Sequence, residues 1–194
     1  MIGTALQHPL RLGGMLVGVV LLALLGLKDA LAQSALPIEA FKGRFVGSGV
    51  AQNDFSDYYG MTVRDLDVTI STGGAGSAGG GFTVAWTTVI RKGDPDNPKI
   101  KRRSNQIAFA PSGRPNVYRA VKAVDPASGE PYAWARIAGN TLTVYSMIIH
   151  DDGGYEIHQY DRTLTGTGME LEFSRLRDGE RGLGVSARLI KEAE

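Results

Sequence analysis

The sequence lacks cysteine altogether, and only three of its 194 residues are histidines. Without cysteine, neither a disulfide framework nor a thiolate metal site can form. The histidines and the scattered acidic residues follow no recognisable ligand spacing, so we predict no metal and no cofactor. Stability must therefore come from the burial of apolar side chains, and the chain is long enough for one core.

An excess of charge of either sign is also missing, because the formal net charge is only +1 at pH 7. Such a chain has no net field that would recruit nucleic acid, and we predict no nucleic-acid partner. The short basic run Lys99-Ile100-Lys101-Arg102-Arg103 is interpreted as a solvated strand end beside a turn.

The first residues have the order of a secretory signal peptide. A lone cation, Arg11, precedes the apolar run from Met15 to Leu27, and Ala30-Leu31-Ala32 ends the segment with small residues where a signal peptidase reads them. Lys28 ends the apolar run short of the roughly 20 residues needed to cross hydrocarbon. We therefore predict signal cleavage, no transmembrane span after it, and a periplasmic or secreted mature protein.

Residues 33–194, which follow the predicted signal peptide at residues 1–32, have the pattern of one antiparallel β domain. Runs with period-two alternation are bounded by Gly, Pro, Asn or Asp, and no segment has a convincing helical period. Turn chemistry such as Gly139-Asn140 favours hairpins between consecutive strands. The predicted strands are Phe41 to Ala51, Thr62 to Ile70, Phe82 to Arg91, Ile100 to Ala110, Asn116 to Val124, Tyr132 to Ala138, Thr141 to His150, Tyr155 to Leu164, Met169 to Leu176 and Leu183 to Lys191.

Strands joined without helices must hide their edges by closing into a barrel or by stacking as a sandwich. We prefer the barrel. The fold class predicted here is all-β, with a single antiparallel up-and-down β-barrel of about 8–10 strands.

The face that points inward can be followed from one hairpin to the next. Met169, Leu171 and Phe173 alternate with glutamates, which marks the inner face of their strand. Through the preceding turn Leu164 falls opposite Met169, and the inner face of that strand then carries His158, Tyr160 and Arg162. The interior is therefore expected to be partly polar.

Continuing the same pairing through the earlier turns predicts two neighbouring tiers inside the barrel. If four residues join the strands around Asp151 to Gly154, Tyr160 pairs with Tyr145. If the loop from Val124 to Pro131 closes symmetrically, Arg119 lies opposite Arg136. The aromatic tier is Val121, Trp134, Tyr145, Tyr160 and Phe173, and the basic tier is Arg119, Arg136, Thr143 and Arg162.

Three guanidinium groups at one level inside a barrel need a negative partner, because unpaired buried cations are costly. One answer is an anionic ligand, whose carboxylate or phosphate is gripped by the arginines while its apolar body stacks on the aromatic tier. Another is internal carboxylates, with Asp65, Asp67 and Asp161 as candidates. A slipped register or a bulge would instead place some of the arginines in solvent.

The segment Gly43-Arg44-Phe45 in the first strand is similar to the Gly-x-Trp signature of lipocalins, with phenylalanine in place of tryptophan. With the strand pattern of most of the mature chain, the protein resembles the lipocalin-like members of the calycin superfamily. The resemblance implies a cup that carries a small hydrophobic compound or lipid, with Arg188 as the candidate for the basic residue that closes the barrel base. Related cups also include isomerases and cyclases.

These observations lead to a hypothesis of an exported carrier that binds an anionic, partly apolar small molecule, either a lipid or a carboxylate or phosphate metabolite. The expected ligand-binding residues are Arg119, Arg136, Arg162, Thr143, Trp134, Tyr145, Tyr160 and His158. No catalytic residue is assigned.

Two alternatives stay open. An enzyme would use His158 as its acid and base beside Tyr160. A scaffold or assembly factor would act through its outer surface, by self-association or with a protein partner, because the face opposite to the basic tier is unusually apolar. That face is expected to carry Ala133, Ala135, Ile137, Leu142, Val144, Ile148 and Ile157.

Overall fold

A computed structural model describes residues 34–53, 62–73, 79–92 and 99–193 of the chain. The predicted signal peptide at residues 1–32 lies outside the described residues and stays a prediction. In the described part, ten strands are accompanied by two short 3-10 helices, Ile38–Phe41 and Pro126–Ser128. The strands are β1 (Gly43–Asn53), β2 (Thr62–Thr72), β3 (Phe82–Lys92), β4 (Lys99–Pro111), β5 (Val117–Ala120), β6 (Tyr132–Ala138), β7 (Thr141–Ile149), β8 (Tyr155–Leu164), β9 (Gly168–Arg177) and β10 (Glu180–Lys191).

The ten strands form a closed barrel in which each strand pairs with its neighbours in sequence. The first and last strands also pair with each other, with Phe45 opposite Lys191, so the described strands leave no open edge. The predicted all-β, antiparallel up-and-down barrel is therefore confirmed, with ten strands. In the described ranges, no helix has the length and apolar character needed to cross a membrane.

One end of the barrel, here called the base, is filled with apolar side chains. The first 3-10 helix lies at this end and buries Ile38 and Phe41. Phe82 stacks on Phe109 with 5.0 Å between the ring centres, and Tyr118 meets Phe82 edge-on at 4.9 Å. Free interior space lies toward the opposite end of the barrel, here called the mouth.

The basic residue at the barrel base is not the one that the resemblance suggested. Arg188 points outward, with its side chain 79% exposed, and its Nη2 lies 3.3 Å from Oε1 of Glu170. Lys191 is the cation that covers the base, because its Nζ lies 5.8 Å from the centre of the buried Phe45 ring. The assignment of Arg188 to the closing position is therefore wrong.

The strand β5 is shorter than predicted, and the loop after it does not close symmetrically. Asp125 caps the second 3-10 helix by accepting a hydrogen bond from the backbone N–H of Ala127 at 3.0 Å, and Gly129 ends the helix in the left-handed region at φ 75°. Arg119 consequently pairs with Trp134, two residues away from the predicted register. Val121 lies beyond the strand and is 48% exposed.

The connection between β7 and β8 contains five residues, whereas the sequence prediction assumed four. Ile149 pairs with Tyr155, which leaves His150 to Gly154 as the loop, and Tyr160 consequently pairs with Val144. The His150 N–H donates to the Gly154 carbonyl at 2.8 Å, and Gly153 supplies the positive φ of 82° that the turn needs. Because side chains alternate between faces, this one residue reverses the predicted inner and outer faces of β5, β6 and β7.

Two glycines lie where β8 connects to β9, Gly166 in the turn and Gly168 at the start of β9. Substitution by alanine should affect protein stability very differently at the two positions. A Cβ at Gly168 would lie 2.1 Å from the backbone oxygen of Leu189, whereas a Cβ at Gly166 meets nothing within 4 Å. We expect Gly168→Ala to lower the free energy of unfolding by roughly 1–3 kcal/mol through steric overlap at the β9–β10 ladder. Chemical denaturation measures this, with Gly166→Ala as the control, and equal stability of the two variants would contradict the described register.

Candidate functional site

The space above the base is a cavity of about 790 Å³. Apolar side chains form most of its wall, and two of the rings that line it, Trp86 and Tyr160, pack against each other with 5.2 Å between their centres. The apolar lining residues are Leu66, Val68, Ile107, Ala120, Val124, Ala133, Val144, Ile148, Leu171, Phe173, Leu183 and Val185. A chamber of this size and character is typical of a site for a small amphipathic molecule.

Arginine side chains from several strands line the cavity. Arg64 of β2, Arg103 of β4 and Arg175 of β9 line it toward the mouth, and none of their guanidinium groups forms a salt bridge with a described residue. Arg64 is half-buried, and its Nε has no hydrogen-bond partner in the described part of the chain. Burial, followed by the charge of Arg103, lowers the pKa of Arg64.

The carboxylates that line the cavity in the described ranges form no salt bridge with these arginines. Glu130 forms a 2.7 Å salt bridge with Lys122. Oε1 of Glu156 lies 2.5 Å from Nε2 of His158. Both acidic side chains are therefore already engaged with another cavity residue. The remaining positive charge of the cavity has no internal partner among the described residues.

Arg162 is fully buried, although it does not itself line the cavity. Its guanidinium carbon lies 5.5 Å from the centre of the Trp86 ring and 5.3 Å from that of Tyr160. None of its three guanidinium nitrogens has a hydrogen-bond partner in the part of the chain that the structure describes. Burial lowers the pKa of Arg162 to about 10, so the group still carries its charge at neutral pH.

The hydroxyl of Tyr160 stays protonated among these cations. Burial raises the pKa of Tyr160, although the charges of Arg162, Arg103 and Arg64 act in the opposite direction. A neutral phenol beside three guanidinium groups is a hydrogen-bond donor for an acceptor placed in the cavity. The third predicted residue of this strand, His158, also lines the cavity, and its ring packs against Phe173 with 5.5 Å between the centres.

The structure thus brings together three of the predicted ligand-binding residues and separates the others. His158, Tyr160 and Arg162 point inward as expected, because the pairing of Leu164 with Met169 is the predicted one. The placement of the other five inside the barrel is wrong, because the five-residue β7–β8 loop turns them outward. They are Arg119, Trp134, Arg136, Thr143 and Tyr145.

On the outer surface, four of these five residues contact one another or a neighbouring polar group. Trp134 stacks on Tyr145 with 4.9 Å between the ring centres, and the Arg136 guanidinium lies 6.0 Å from the Tyr145 ring. Thr143 is buried, and its hydroxyl donates to Oδ1 of Asp161 at 2.6 Å. The residues form a packed outer surface instead of a ligand pocket.

Because the faces are reversed, the outer surface of β6 and β7 is not the apolar surface that the sequence predicted. The apolar residues expected outside on β6 and β7 are turned into the barrel, and only Ile157 of the predicted set belongs to an outward-facing position. Those that point inward are Ala133, Ala135, Ile137, Leu142, Val144 and Ile148. The observation that suggested a scaffold acting through its surface therefore no longer holds.

Two of the carboxylates considered as internal partners of the arginines lie elsewhere. Asp67 binds Arg44 on the outside, with Oδ2 2.7 Å from Nη2. Asp161 accepts hydrogen bonds from Thr143 and from Nε2 of Gln159 at 2.6 Å each, also on the outer face. The side chain of Asp65 lies outside what the structure describes.

Sequence reasoning missed Arg64, Arg103 and Arg175. For Arg64 a signal was present, because it is in phase with Leu66, Val68 and Ile70 on the inner face of β2. Arg103 belongs to the basic run that was interpreted as a solvated strand end. The run is indeed exposed, but Arg103 nevertheless faces the mouth of the cavity.

No protein-family model and no curated protein matches this chain. Among solved structures, the S-type phycobiliprotein lyase CPES from Guillardia theta aligns over 81% of this chain and 91% of its own, with 8% sequence identity and a TM-score of 0.39. A similarity at this level says nothing about the ligand or the activity of the present protein.

The two tryptophans offer a direct check of which side chains face the interior. Trp86 lies inside and is 9% exposed, whereas Trp134 lies on the outer face in contact with solvent. We expect acrylamide to quench the Trp134→Phe protein, which retains Trp86, several-fold less than the Trp86→Phe protein. Stern–Volmer titration of both proteins measures this, and equal or reversed quenching would contradict the register of β6 and β7.

Proposed function

We propose that this protein is an exported carrier whose barrel binds an anionic, partly apolar small molecule. The observation that carries the proposal is the roughly 790 Å³ cavity, in which an apolar wall is combined with positive side chains that have no acidic partner among the described residues. A predicted signal peptide, a cavity of this size and uncompensated internal charge together support a carrier of a small molecule.

The charges of the cavity favour an anion. Arg64, Arg103 and Arg175 come from three different strands, and their like charges repel one another while the cavity is occupied only by solvent. A carboxylate or phosphate placed among them relieves this repulsion and accepts charge-assisted hydrogen bonds. The hydroxyl of Tyr160 adds a neutral donor to the same group.

The apolar wall favours a ligand with a hydrophobic body. The wall below the arginines carries Leu66, Val144 and Leu171, and the aromatic rings of Phe173 and Trp86 border the same space. Burial of apolar ligand surface against such a wall contributes about 25 cal/mol for each Å² removed from water. A fully hydrophilic anion would leave this contribution unused, and a lipid or an amphipathic carboxylate or phosphate metabolite uses both parts of the cavity.

Protein purified from its own host should retain this ligand. Native mass spectrometry is expected to show a mass excess over the polypeptide, and collisional activation should release it as an anion. The polypeptide itself should begin near Gln33. The double variant Arg64→Met, Arg103→Met removes two cavity cations, and we expect it to reduce the retained fraction by at least about tenfold, equivalent to about 1.4 kcal/mol.

The control for this experiment is Arg119→Met, Arg136→Met, which removes the same charge from outer-face positions of β5 and β6. It should retain the ligand as the wild type does. Loss of the ligand in both double variants would show that only net charge matters, and full retention in the first would reject the anion site. A polypeptide that still carries residues 1–32 would contradict export by a cleaved signal.

A further inference from the structure

The guanidinium of Arg162 is separated from the large cavity. Trp86 and Tyr160 line that cavity, whereas Arg162 does not, and the two aromatic rings pack against its guanidinium at 5.5 and 5.3 Å. The side chain has no exposed surface at all. An amphipathic ligand held in the cavity therefore meets the aromatic rings before it meets this charge.

No acidic side chain of the described residues forms a salt bridge or a hydrogen bond with Arg162, although the charge of Asp161 acts to raise its pKa. Its partners across the neighbouring strands are Leu142 on β7 and Leu171 on β9, and both are buried. The adjacent Asp161 points to the other face, where it accepts hydrogen bonds from Thr143 and Gln159. The charge is thus enclosed by leucine and aromatic side chains.

The aromatic rings offset only a part of the cost of this burial. Ring faces attract a cation through their quadrupoles, but the N–H groups of the guanidinium still need acceptors. All three guanidinium nitrogens lack one in the part of the chain that the structure describes. Since the pKa of about 10 keeps the group protonated at neutral pH, an acceptor with negative charge would satisfy both the N–H groups and the charge.

We propose that Arg162 holds a small inorganic monoanion from solution, such as chloride or bromide, in a second site beneath the Trp86 and Tyr160 rings. A halide fits the chemistry because it accepts several hydrogen bonds without needing further polar groups around it. The leucine walls favour anions that lose their hydration readily, so bromide and nitrate should bind more tightly than fluoride or sulfate. The site neutralises the interior of the folded barrel and is independent of the carrier function proposed above.

Bromide is the probe for this site, and Trp86 is its reporter. In the Trp134→Phe protein, Trp86 is the remaining tryptophan, because the sequence has two. We expect its emission to fall along a saturable curve as bromide replaces fluoride at constant ionic strength, at total concentrations too low for general salt effects on stability. The temperature of unfolding should rise with bromide over the same range, since an anion that binds only the folded state stabilises it.

Arg162→Met in the same background removes the charge and keeps a side chain of similar length. We expect the half-saturating bromide concentration to rise by at least about tenfold, and the unfolding temperature to lose its dependence on bromide. In buffer without halide this variant should unfold at a higher temperature than its parent, because an unpaired buried charge has been removed. The matched control is Arg119→Met, which removes a cation from the outer face of β5 and should leave the bromide response unchanged.

Several results would overturn the proposal. These are an emission that falls only linearly with bromide, an unfolding temperature that fails to respond, or a bromide response lost equally in Arg119→Met. If Arg162→Met does not fold, a crystal of the Trp134→Phe protein grown with bromide decides the matter by anomalous scattering. A bromide peak beside Arg162 supports the site, and its absence rejects it, whatever the outcome of the ligand-retention experiment.

Discussion

Positive charge inside a closed barrel can be balanced only by what lies inside the same barrel. Closure hides every strand edge, and the alternation of side chains sends the acidic partners of the outer surface away from the interior. Arg162, Arg64 and Arg103 are on the inner side of this boundary. An unpaired buried cation costs several kcal/mol, and this cost is the physical basis of the proposal that the interior holds a negatively charged occupant.

The interior is arranged in layers along the barrel axis. Aromatic and aliphatic side chains fill the base, and above them the guanidinium of Arg162 lies beneath the rings of Trp86 and Tyr160. The cavity follows, and its cations lie toward the mouth. Arg64, Arg103 and Arg175 form no salt bridge with a described residue, and they carry the proposed anion site.

Much of the fold could be predicted from local chemistry. Turns with glycine and asparagine, such as Gly139-Asn140, fixed the hairpins, and the pairings of Leu164 with Met169 and of Trp134 with Tyr145 agree with the structure. The number of strands followed from the regular alternation of polar and apolar residues. These features depend on neighbouring residues, so a single sequence contains them.

The faces of β5 to β7 could not be predicted, because they depend on the length of one loop. Four or five residues between β7 and β8 are both compatible with the Asp152-Gly153 pair, yet they place opposite faces inside. The apolar series of Ala133, Ala135 and Ile137 favoured the observed face, whereas the large rings of Trp134 and Tyr145 favoured the other. Arg64 and Arg103 were missed because they lie on β2 and β4, and the hairpin argument did not extend to these strands.

The most direct test of the account compares a medium-chain fatty acid with its methyl ester by isothermal titration calorimetry. The two molecules share their apolar body and differ in the charge that the arginines would bind. The account predicts that the carboxylate binds at least about tenfold more tightly, and that Arg64→Met, Arg103→Met removes most of this difference. Equal affinity of the wild-type protein for acid and ester would contradict it.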